Sequence, residues 1–247
     1  MKAMILAAGL GTRLLPLTEK VPKALIEVNG IPLIEILINK LKRSGITQII
    51  VNVHYHADQV VEFLNARQYH GVEIAISDET CQLLDTGGGI KKARWFLHGD
   101  EPFIVHNVDV ISGIDFNDLL VAHKAKQGIS TLAVSERKSS RYLMFNKDLR
   151  LAGWENTITG EKIIPGTKDE SLRRLAFSGI HIIDPAIFTM LTNECRFPII
   201  DEYLRLISTQ SIYGYDHTGI AWYDLGKKGG LAEAGKYLGE HPEILLK

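Results

Sequence analysis

The stretch ILAAGLGTR (residues 5–13) joins an apolar run directly to a glycine-rich turn that ends in an arginine. Met4–Ala8 is short and apolar, which predicts a buried strand. Gly9 and Gly11 carry no side chains, so the backbone N–H groups around them stay open to a ligand. Arg13 places a fixed positive charge beside those N–H groups. The stretch is typical of a phosphate-binding turn, although a plain strand-to-helix turn has the same short pattern.

Strands and helices alternate over the first half of the chain. Apolar runs predict strands, and apolar residues at helical spacing predict helices. The predicted strands are Met4–Ala8, Ile49–Val53, Val72–Ser77, Phe103–Asn107 and Ser130–Ser135. The predicted helices lie between Pro32 and Gly45 and over His56–Ala66, Ile90–Phe96 and Asp115–Ala125, and residues 78–89 are predicted as a polar, glycine-rich loop. This alternation predicts an α/β fold with a Rossmann-like, mostly parallel (mixed) sheet flanked by helices on both faces.

The edge of that sheet is the expected site. Ligands bind such sheets outside the carboxyl ends of the parallel strands. Gly9 to Arg13, Asp78 to Gly89 and Asp109 each follow a predicted strand. We therefore expect these three segments to meet in one crevice.

The second half of the chain is less regular. Residues 141–165 are predicted as antiparallel hairpins, with strands at Phe177–Ile183 and Ile220–Asp224. Helices are predicted after Pro185, over Ile199–Ile207 and over Leu231–Leu238. Linkers, repeats and low-complexity tracts are missing from the sequence, so one domain is predicted over residues 1–247.

Composition excludes several classes of protein. The chain has 247 residues, 45% of them hydrophobic, which argues against wholesale disorder. A net charge of −1 argues against a nucleic-acid partner. Cys81 and Cys195 are too far apart in sequence to indicate a disulfide framework or a metal-ligand spacing. The sequence also lacks a signal peptide and a long apolar span, so we expect a cytoplasmic protein without a membrane partner.

The glycine turn continues as GLGTRLLPLTEKVPKALIEVNGIP, which contains Pro16 and Pro22 and a second cation, Lys23. A dinucleotide fingerprint would have glycine where this chain has Leu14, and a helix where it has prolines. The pattern G-x-G-T-R-x-x-P-x-T-x-x-x-P-K-x-L, filled at every fixed position from Gly9 onward, resembles the signature of the sugar-1-phosphate nucleotidylyltransferases. This resemblance implies a glycosyltransferase-A-like nucleotidyltransferase fold.

Three further stretches resemble the same family. Residues 84–89 (LDTGGG) resemble its loop over the nucleobase and ribose, and Asn107-Val108-Asp109 resembles its magnesium-binding strand end. Val108 departs from the smaller glycine or alanine usual there. Residues 222–226 (WYDLG) resemble the segment that supplies a second metal carboxylate. The short chain, the TGGG run and residues 177–180 (FSGI) are most similar to bacterial N-acetylmuramate-1-phosphate uridylyltransferases of cell-wall recycling.

The resemblance implies transfer of a nucleotidyl group from a nucleoside triphosphate, in our reading UTP, to a sugar 1-phosphate, in our reading N-acetylmuramate 1-phosphate. Two anions must approach each other, so the protein has to position them and neutralise their charge. Mg²⁺ is the implied cofactor. The implied catalytic residues are Arg13, Lys23 and Asp109, and the implied metal ligands are Asp109 and Asp224. The implied nucleotide-binding residues are Ala8, Gly9, Gly11, Thr12, Arg13, Asp85, Thr86 and Gly87. The sugar-binding candidates are Asn107, Gly179 and Arg141, of which Arg141 is the cation suited to an acidic substituent.

Other interpretations stay open at the level of sequence. The acceptor and base could be glucose or mannose 1-phosphate with dTTP, GTP or UTP, or phosphocholine with CTP. A non-catalytic nucleotide-sugar sensor could use the same fold. A Rossmann oxidoreductase is disfavoured by Leu14. We expect a monomer or a homodimer.

Overall fold

The computed structural model describes residues 1–165, 171–226 and 229–241. The strands are β1 (Lys2–Leu6), β2 (Glu27–Val28), β3 (Ile31–Pro32), β4 (Gln48–Val53), β5 (Glu73–Asp78), β6 (Phe103–Asn107), β7 (Val110–Ser112), β8 (Ser130–Ser135), β9 (Arg141–Phe145), β10 (Leu151–Asn156), β11 (Lys162–Ile163), β12 (Arg173–Ile183), β13 (Ile212–Asp216) and β14 (Trp222–Asp224). The α-helices are α1 (Leu33–Arg43), α2 (Ala57–Ala66), α3 (Asp85–Lys92), α4 (Arg94–Leu97), α5 (Phe116–Lys126), α6 (Ile199–Leu206) and α7 (Gly230–Glu240). Short 3-10 helices cover Thr12–Leu14, Lys23–Leu25 and Pro185–Thr189.

A ten-stranded sheet runs in the order β11-β10-β9-β12-β6-β1-β4-β5, with β8 paired to β12 and β13 paired to β8. Strands β6, β1, β4 and β5 are mutually parallel. Strand β12 then joins β6 in the antiparallel direction and carries the antiparallel strands β8 and β9. The predicted mixed sheet with a parallel centre is confirmed. The parallel centre fixes where the carboxyl ends of β1, β4 and β6 meet.

Helices cover both faces of this sheet, as predicted. Successive residues of a strand point to opposite faces, and in β1 the side chains of Ala3 and Ile5 join one buried cluster while Met4 joins the other. The first cluster includes α1, through Leu37, and the second includes α6, through Tyr203. The sheet therefore lies between two layers of helices. The edge formed by the carboxyl ends of its parallel strands stays accessible to a ligand.

The segment predicted as a loop over residues 78–89 is partly helical. Helix α3 begins at Asp85, and the predicted helix Ile90–Phe96 is instead split between α3 and α4. Position 88 is glycine inside α3 because a Cβ there would lie 2.2 Å from the backbone oxygen of Cys195. A single sequence does not reveal this close packing between α3 and a distant segment.

Among the described residues, we find every helix too short or too polar to traverse a bilayer. The prediction of one domain over residues 1–247 includes residues outside the described ranges and stays a prediction.

Candidate functional site

A cleft of about 400 Å³ opens at the carboxyl edge of β1, β4 and β6. Its lining residues are Leu6, Ala7, Ala8, Gly9, Leu10, Gly11, Thr12, Arg13, Leu14, Lys23, Asn52, Glu79, Leu83, Asp85, Thr86, Asn107, Val108 and Asp109. Most of the predicted site residues therefore line one cleft. Gly87, Gly179, Arg141 and Asp224 are outside its lining and are placed below.

The loop after β1 is shaped by two glycines. A Cβ on Gly9 would meet nothing within 4 Å, so the backbone there faces open space. Gly11 adopts φ +66°, in the left-handed region that favours glycine. Its carbonyl accepts a hydrogen bond of 2.8 Å from the Thr18 hydroxyl, which folds the loop back on itself. Arg13 then extends from the 3-10 turn with 63% of its side chain exposed, within reach of a ligand in the cleft.

Two polar residues form the floor of the cleft. The Asn52 side chain accepts a hydrogen bond from the Ala7 N–H at 2.7 Å and donates one to Glu79 Oε1 at 2.8 Å. Glu79 Oε2 accepts from the Leu84 N–H at 3.1 Å, and the residue is 1% exposed. The pair joins the ends of β1, β4 and β5 to the start of α3. Sequence reasoning missed Asn52, although an amide inside the apolar run IIVNV is a visible signal.

The start of α3 forms one wall. Asp85 has φ +62°, which is strained for a residue with a side chain, and its Oδ1 accepts from the Thr86 N–H at 2.7 Å. The Thr86 hydroxyl accepts from the Ile199 N–H at 2.9 Å. The Gly87 N–H donates to the Phe197 carbonyl at 2.9 Å, and a Cβ at Gly87 would collide with the Phe197 ring. The N–H of Gly87, a predicted nucleotide-binding residue, is thus already used for packing α3 against the segment before α6, and the role of Gly87 in nucleotide binding stays a prediction.

A compact group of charges lies at the other wall. Lys23 forms an ion pair and hydrogen bond with Asp109, and both side chains are mostly buried. Arg13 NH1 lies 3.9 Å from Asp224 Oδ2. A Cβ on Gly226 would lie 2.8–2.9 Å from Arg13, Asp109 and Lys23 at once. The three predicted catalytic side chains therefore converge on the backbone of Gly226, a residue that sequence reasoning noted only as part of WYDLG.

Asp224 reaches this group through a small two-stranded sheet. Strand β14 pairs antiparallel with β7, and Asp224 is the partner of Val110. The Leu225 N–H donates to the Asp109 carbonyl at 2.8 Å. Residues far apart in sequence are thereby brought side by side, and the two predicted metal carboxylates border the same corner of the cleft.

Lys40 supports that small sheet from behind. Its ammonium donates to the Ser112 carbonyl at 2.5 Å and lies 4.5 Å from the centre of the Phe116 ring. Burial lowers the pKa of Lys40 to about 7, and the charge of Asp115 only partly offsets this. Ser112 is the partner of Trp222 in the pairing of β7 with β14. Lys40 therefore holds the strand pair that carries the carboxylates.

Two of the three predicted sugar-binding residues are in contact with each other, and the third lies elsewhere on the rim. Gly179 has φ +74°, and a Cβ there would lie 2.8 Å from Asn107 Nδ2, so Gly179 and Asn107 are in contact. Arg141 begins β9 and is exposed. Burial and the charge of Asp85 raise the pKa of Asp201, and the charge of Arg141 only partly offsets this. Arg141 is therefore near Asp201, at an acidic rim that includes Asp85. The roles of all three in binding a sugar stay predictions.

The carboxylates match the ligand preference of Mg²⁺. Asp109 and Asp224 offer hard oxygen atoms, and Mg²⁺ uses one or two protein carboxylates together with phosphate oxygens. In the described part of the chain, no three His, Cys, Asp or Glu side chains gather into a larger metal-binding group. The donor set therefore fits a metal that is completed by substrate oxygens, with Lys23 and Arg13 balancing the two charges when no ligand is bound.

Comparison with known proteins fixes the class. The nucleotidyl transferase family matches residues 2–241, and the chain belongs to this family. The class of reaction that this membership gives is nucleotidyl transfer to a sugar 1-phosphate, with a small-molecule nucleotide as substrate. HddC from Yersinia pseudotuberculosis has a similar structure, with a TM-score of 0.78, 21% identity and coverage of 96% of this chain and 99% of that one. This likeness confirms the predicted glycosyltransferase-A-like nucleotidyltransferase fold.

Two relatives in sequence point to different substrates. An N-acetylmuramate alpha-1-phosphate uridylyltransferase from Caulobacter vibrioides is 33% identical over 232 residues, which cover 91% of each chain. Mannose-1-phosphate guanyltransferase 2 from Candida glabrata is also 33% identical, over 253 residues that cover 99% of this chain and 68% of that one. Identity alone therefore does not separate the two substrate pairs.

Proposed function

We propose that this protein transfers the uridylyl group of UTP to N-acetylmuramate 1-phosphate, releases pyrophosphate, and uses Mg²⁺ held by Asp109 and Asp224. The observation that carries the proposal is the convergence of Arg13, Lys23 and Asp109 on the backbone of Gly226, beside Asp224. A site with two cations and two carboxylates around an open glycine backbone suits the meeting of two phosphate groups. In this proposal the enzyme acts in the cytoplasm, in cell-wall recycling.

Each residue has a role in this reaction. An oxygen of the sugar phosphate attacks the α-phosphorus of UTP, and the bond from the α-phosphorus to the oxygen of the leaving pyrophosphate breaks. Arg13, exposed beside the open backbone of Gly9, neutralises the charge that develops on pyrophosphate. Lys23, held at the cleft wall, contacts the α-phosphate and the entering phosphate. Preorganised cations of this kind stabilise the transition state more than the separated substrates.

Asp109 and Asp224 would hold the metal. When bound, Mg²⁺ withdraws negative charge from the phosphate oxygens. The two carboxylates are fixed by the pairing of β7 with β14 and by the Leu225 N–H, so the site is built before substrate enters. On loading, Lys23 would exchange its carboxylate partner for substrate oxygens.

The choice of acceptor rests on one relative and on one cation. The uridylyltransferase of Caulobacter vibrioides is 33% identical to this chain. Arg141, exposed at the rim near Asp85, is available to an acceptor that carries a carboxylate. Transfer from GTP to mannose 1-phosphate is the second candidate, because the guanyltransferase is equally identical.

The test is pyrophosphate release over a grid of five nucleoside triphosphates and a panel of phosphate-bearing acceptors, with Mg²⁺ and with EDTA. The panel contains N-acetylmuramate, N-acetylglucosamine, glucose and mannose 1-phosphates, and phosphocholine. We expect the highest kcat/KM for UTP with N-acetylmuramate 1-phosphate, and loss of activity with EDTA. A maximum at GTP with mannose 1-phosphate would replace the first candidate by the second. A grid without activity, together with nucleotide-sugar binding by calorimetry, would indicate a sensor.

A further inference from the structure

Arg137 ends up at the same edge of the sheet as the site, although the reaction described above does not use it. It follows β8 by two residues. Strands β8 and β6 both run antiparallel to β12, so β8 and β6 are parallel to each other and end at one edge. The edge that carries Asn107 and Asp109 therefore also carries Arg137.

The Arg137 guanidinium is held in a fixed orientation. Its Cζ lies 3.9 Å from the centre of the Trp222 ring, and NH2 donates to the Phe177 carbonyl at 2.6 Å. The Trp222 indole N–H in turn donates to the Ser178 carbonyl at 2.9 Å. Stacking on an aromatic face leaves the donors in the plane of the guanidinium free to point sideways at an anion. Arg137 is thus a cation whose side chain is held in place between β14 and the residues before Gly179.

The hydrogen-bonding capacity of Arg137 is not filled. A guanidinium has five N–H donors. Arg137 Nε is buried and has no hydrogen-bond partner among the residues that the structure describes. Burial lowers the pKa of Arg137, and the charge of the neighbouring Asp224 carboxylate only partly offsets this. Buried N–H groups normally have a hydrogen-bond acceptor. The unpaired Nε–H of Arg137, beside the proposed metal ligand Asp224, therefore indicates that a substrate group accepts this hydrogen bond.

A further cation would favour binding on the acceptor side of the site. The acceptor phosphate has to approach a nucleotide that is itself negatively charged, and the two anions repel each other. Arg13 and Lys23 approach the corner from the cleft where the triphosphate is proposed to bind, and Lys23 is shared between the two phosphates. Arg137 stands on the side of Gly179 and Asn107, where the sugar is proposed to bind.

We propose that Arg137 binds the phosphate of the sugar 1-phosphate and holds it in line with the α-phosphorus of the nucleotide. The planar fork of the guanidinium matches two oxygens of a phosphate group, and it holds such a group in one orientation. This inference rests on the proposed function for the location of the acceptor, but it does not depend on which sugar or which base is used.

The experiment compares wild type with Arg137→Gln and Arg137→Lys. Arg173→Gln is the matched control, because Arg173 is an exposed arginine whose guanidinium is engaged by Glu136 and Asp216. Steady-state kinetics are measured with the acceptor that wild type uses best, varying the acceptor and the nucleotide separately. Thermal unfolding establishes that each variant is folded.

We expect the KM for the acceptor to rise roughly 10- to 100-fold in Arg137→Gln, the effect of losing charge-assisted hydrogen bonds. The KM for the nucleotide should stay within about twofold, since Arg137 lies away from the triphosphate. The acceptor KM of Arg137→Lys should lie between those of wild type and Arg137→Gln, because lysine keeps the charge but lacks the planar guanidinium donors. Arg173→Gln should behave as wild type. An unchanged acceptor KM, or equal rises in both KM values, would overturn the proposal.

A second arm separates the phosphate from a carboxylate of the acceptor. Binding of N-acetylmuramate 1-phosphate and of N-acetylglucosamine 1-phosphate, which lacks the lactyl carboxylate, is measured by calorimetry for wild type and Arg137→Gln. If Arg137→Gln binds both compounds more weakly than wild type does, the phosphate contact is supported. If only the binding of N-acetylmuramate 1-phosphate is weaker, the proposal is overturned. Calorimetry needs no turnover. Should wild type lack uridylyl transfer to the muramate compound, the proposed function fails in wild type itself, and the role of Arg137 is still decided by the variants. If Arg137→Gln does not fold, Arg137→Lys carries both arms.

Discussion

Gly9 and Gly88 lie in two glycine-rich stretches beside the same cleft, and they are glycine for opposite reasons. A Cβ on Gly9 would meet nothing within 4 Å, whereas a Cβ on Gly88 would lie 2.2 Å from the Cys195 carbonyl oxygen. The first glycine leaves backbone open to a ligand, and the second lets a helix approach another segment of backbone. A glycine run in sequence therefore has two physical meanings, which only the surroundings distinguish.

Gly226 shows a third arrangement. A Cβ there would meet the far ends of three charged side chains rather than backbone. Those ends can move, so a substitution would displace charges without breaking a packed contact. The three positions should consequently differ in whether a substitution affects activity, stability or both.

The largest effect on activity is expected from Asp109, to which the effects of the glycine substitutions can be compared. Asp109→Asn keeps the shape of the side chain but removes the charge proposed to bind Mg²⁺. We expect kcat to fall at least about 100-fold. The thermal unfolding temperature should also fall, because Lys23 loses the charged partner of its mostly buried ion pair. The measurement is kcat by pyrophosphate release beside a thermal melt. A rate close to that of wild type would remove the metal-binding carboxylate from the mechanism.

Gly88→Ala tests the packed glycine. The methyl group cannot avoid the Cys195 carbonyl without moving α3, so we expect the free energy of unfolding to fall by about 1–3 kcal/mol. Urea denaturation measures this. Gly239→Ala in α7 is the matched control, because a Cβ there meets nothing within 4 Å, and better helix propensity should make it neutral or stabilising by up to about 1 kcal/mol. Equal effects at the two positions would contradict the packing explanation.

Gly226→Ala tests the glycine that faces charges. The methyl group would push Arg13, Lys23 and Asp109 out of register, so we expect about a tenfold loss of kcat from misplaced charges. The free energy of unfolding should change by less than in Gly88→Ala. Measuring kcat and urea denaturation on the same preparation shows whether the substitution affects activity or stability. A large loss of stability with normal kcat would show that this position resembles Gly88 instead.

Lys40 extends the comparison from a packed glycine to a packed charge. Burial lowers its pKa to about 7 from the usual 10.5. Above pH 7 the folded chain releases the proton that the unfolded chain keeps up to about pH 10.5, so the Lys40 contribution to stability increases with pH in this window. Relative to Lys40→Met, wild type should gain at most about 1.4 kcal/mol per pH unit. Urea denaturation of both proteins at pH 6, 7, 8 and 9 measures the slope, and a flat difference would contradict it.

Gly9→Ala should have the smallest effect on stability. Nothing crowds the added methyl group in the protein, so the free energy of unfolding should change by about 0.5 kcal/mol or less. The methyl group does project toward the proposed phosphate site, and a few-fold rise in the nucleotide KM is expected from hindered approach to the backbone. If stability falls as far as in Gly88→Ala, the contrast drawn between the two stretches fails.

The sequence predicted the parts of the site that depend on local signals. The run Met4–Ala8, the glycines after it and the alternation of strands and helices follow from spacing alone, and they place Arg13 and Asp109 at one edge. The place of Lys23 in the site came from the family resemblance. The sequence did not predict that α3 starts at Asp85, because the reason is the close approach of Cys195 and Phe197.

The site residues that the sequence did not predict have one thing in common. Asn52 lies within an apolar strand, and Gly226 ends the WYDLG segment, so neither residue stands out in the sequence. Arg137 drew no attention because its meaning depends on Trp222 and Phe177, which are distant in sequence. Contacts between distant segments set these roles, and a single sequence contains no direct record of them.

The pairing of β7 with β14 has a consequence for how the protein is made. The nucleotide loop and Asp109 leave the ribosome more than a hundred residues before Asp224, the carboxylate that completes the charged corner. Contacts of such long sequence separation form late in folding. A growing chain can thus assemble its parallel strands before the charged corner is complete. The corner itself can form only after residues 222–224 have been synthesised and have paired with β7.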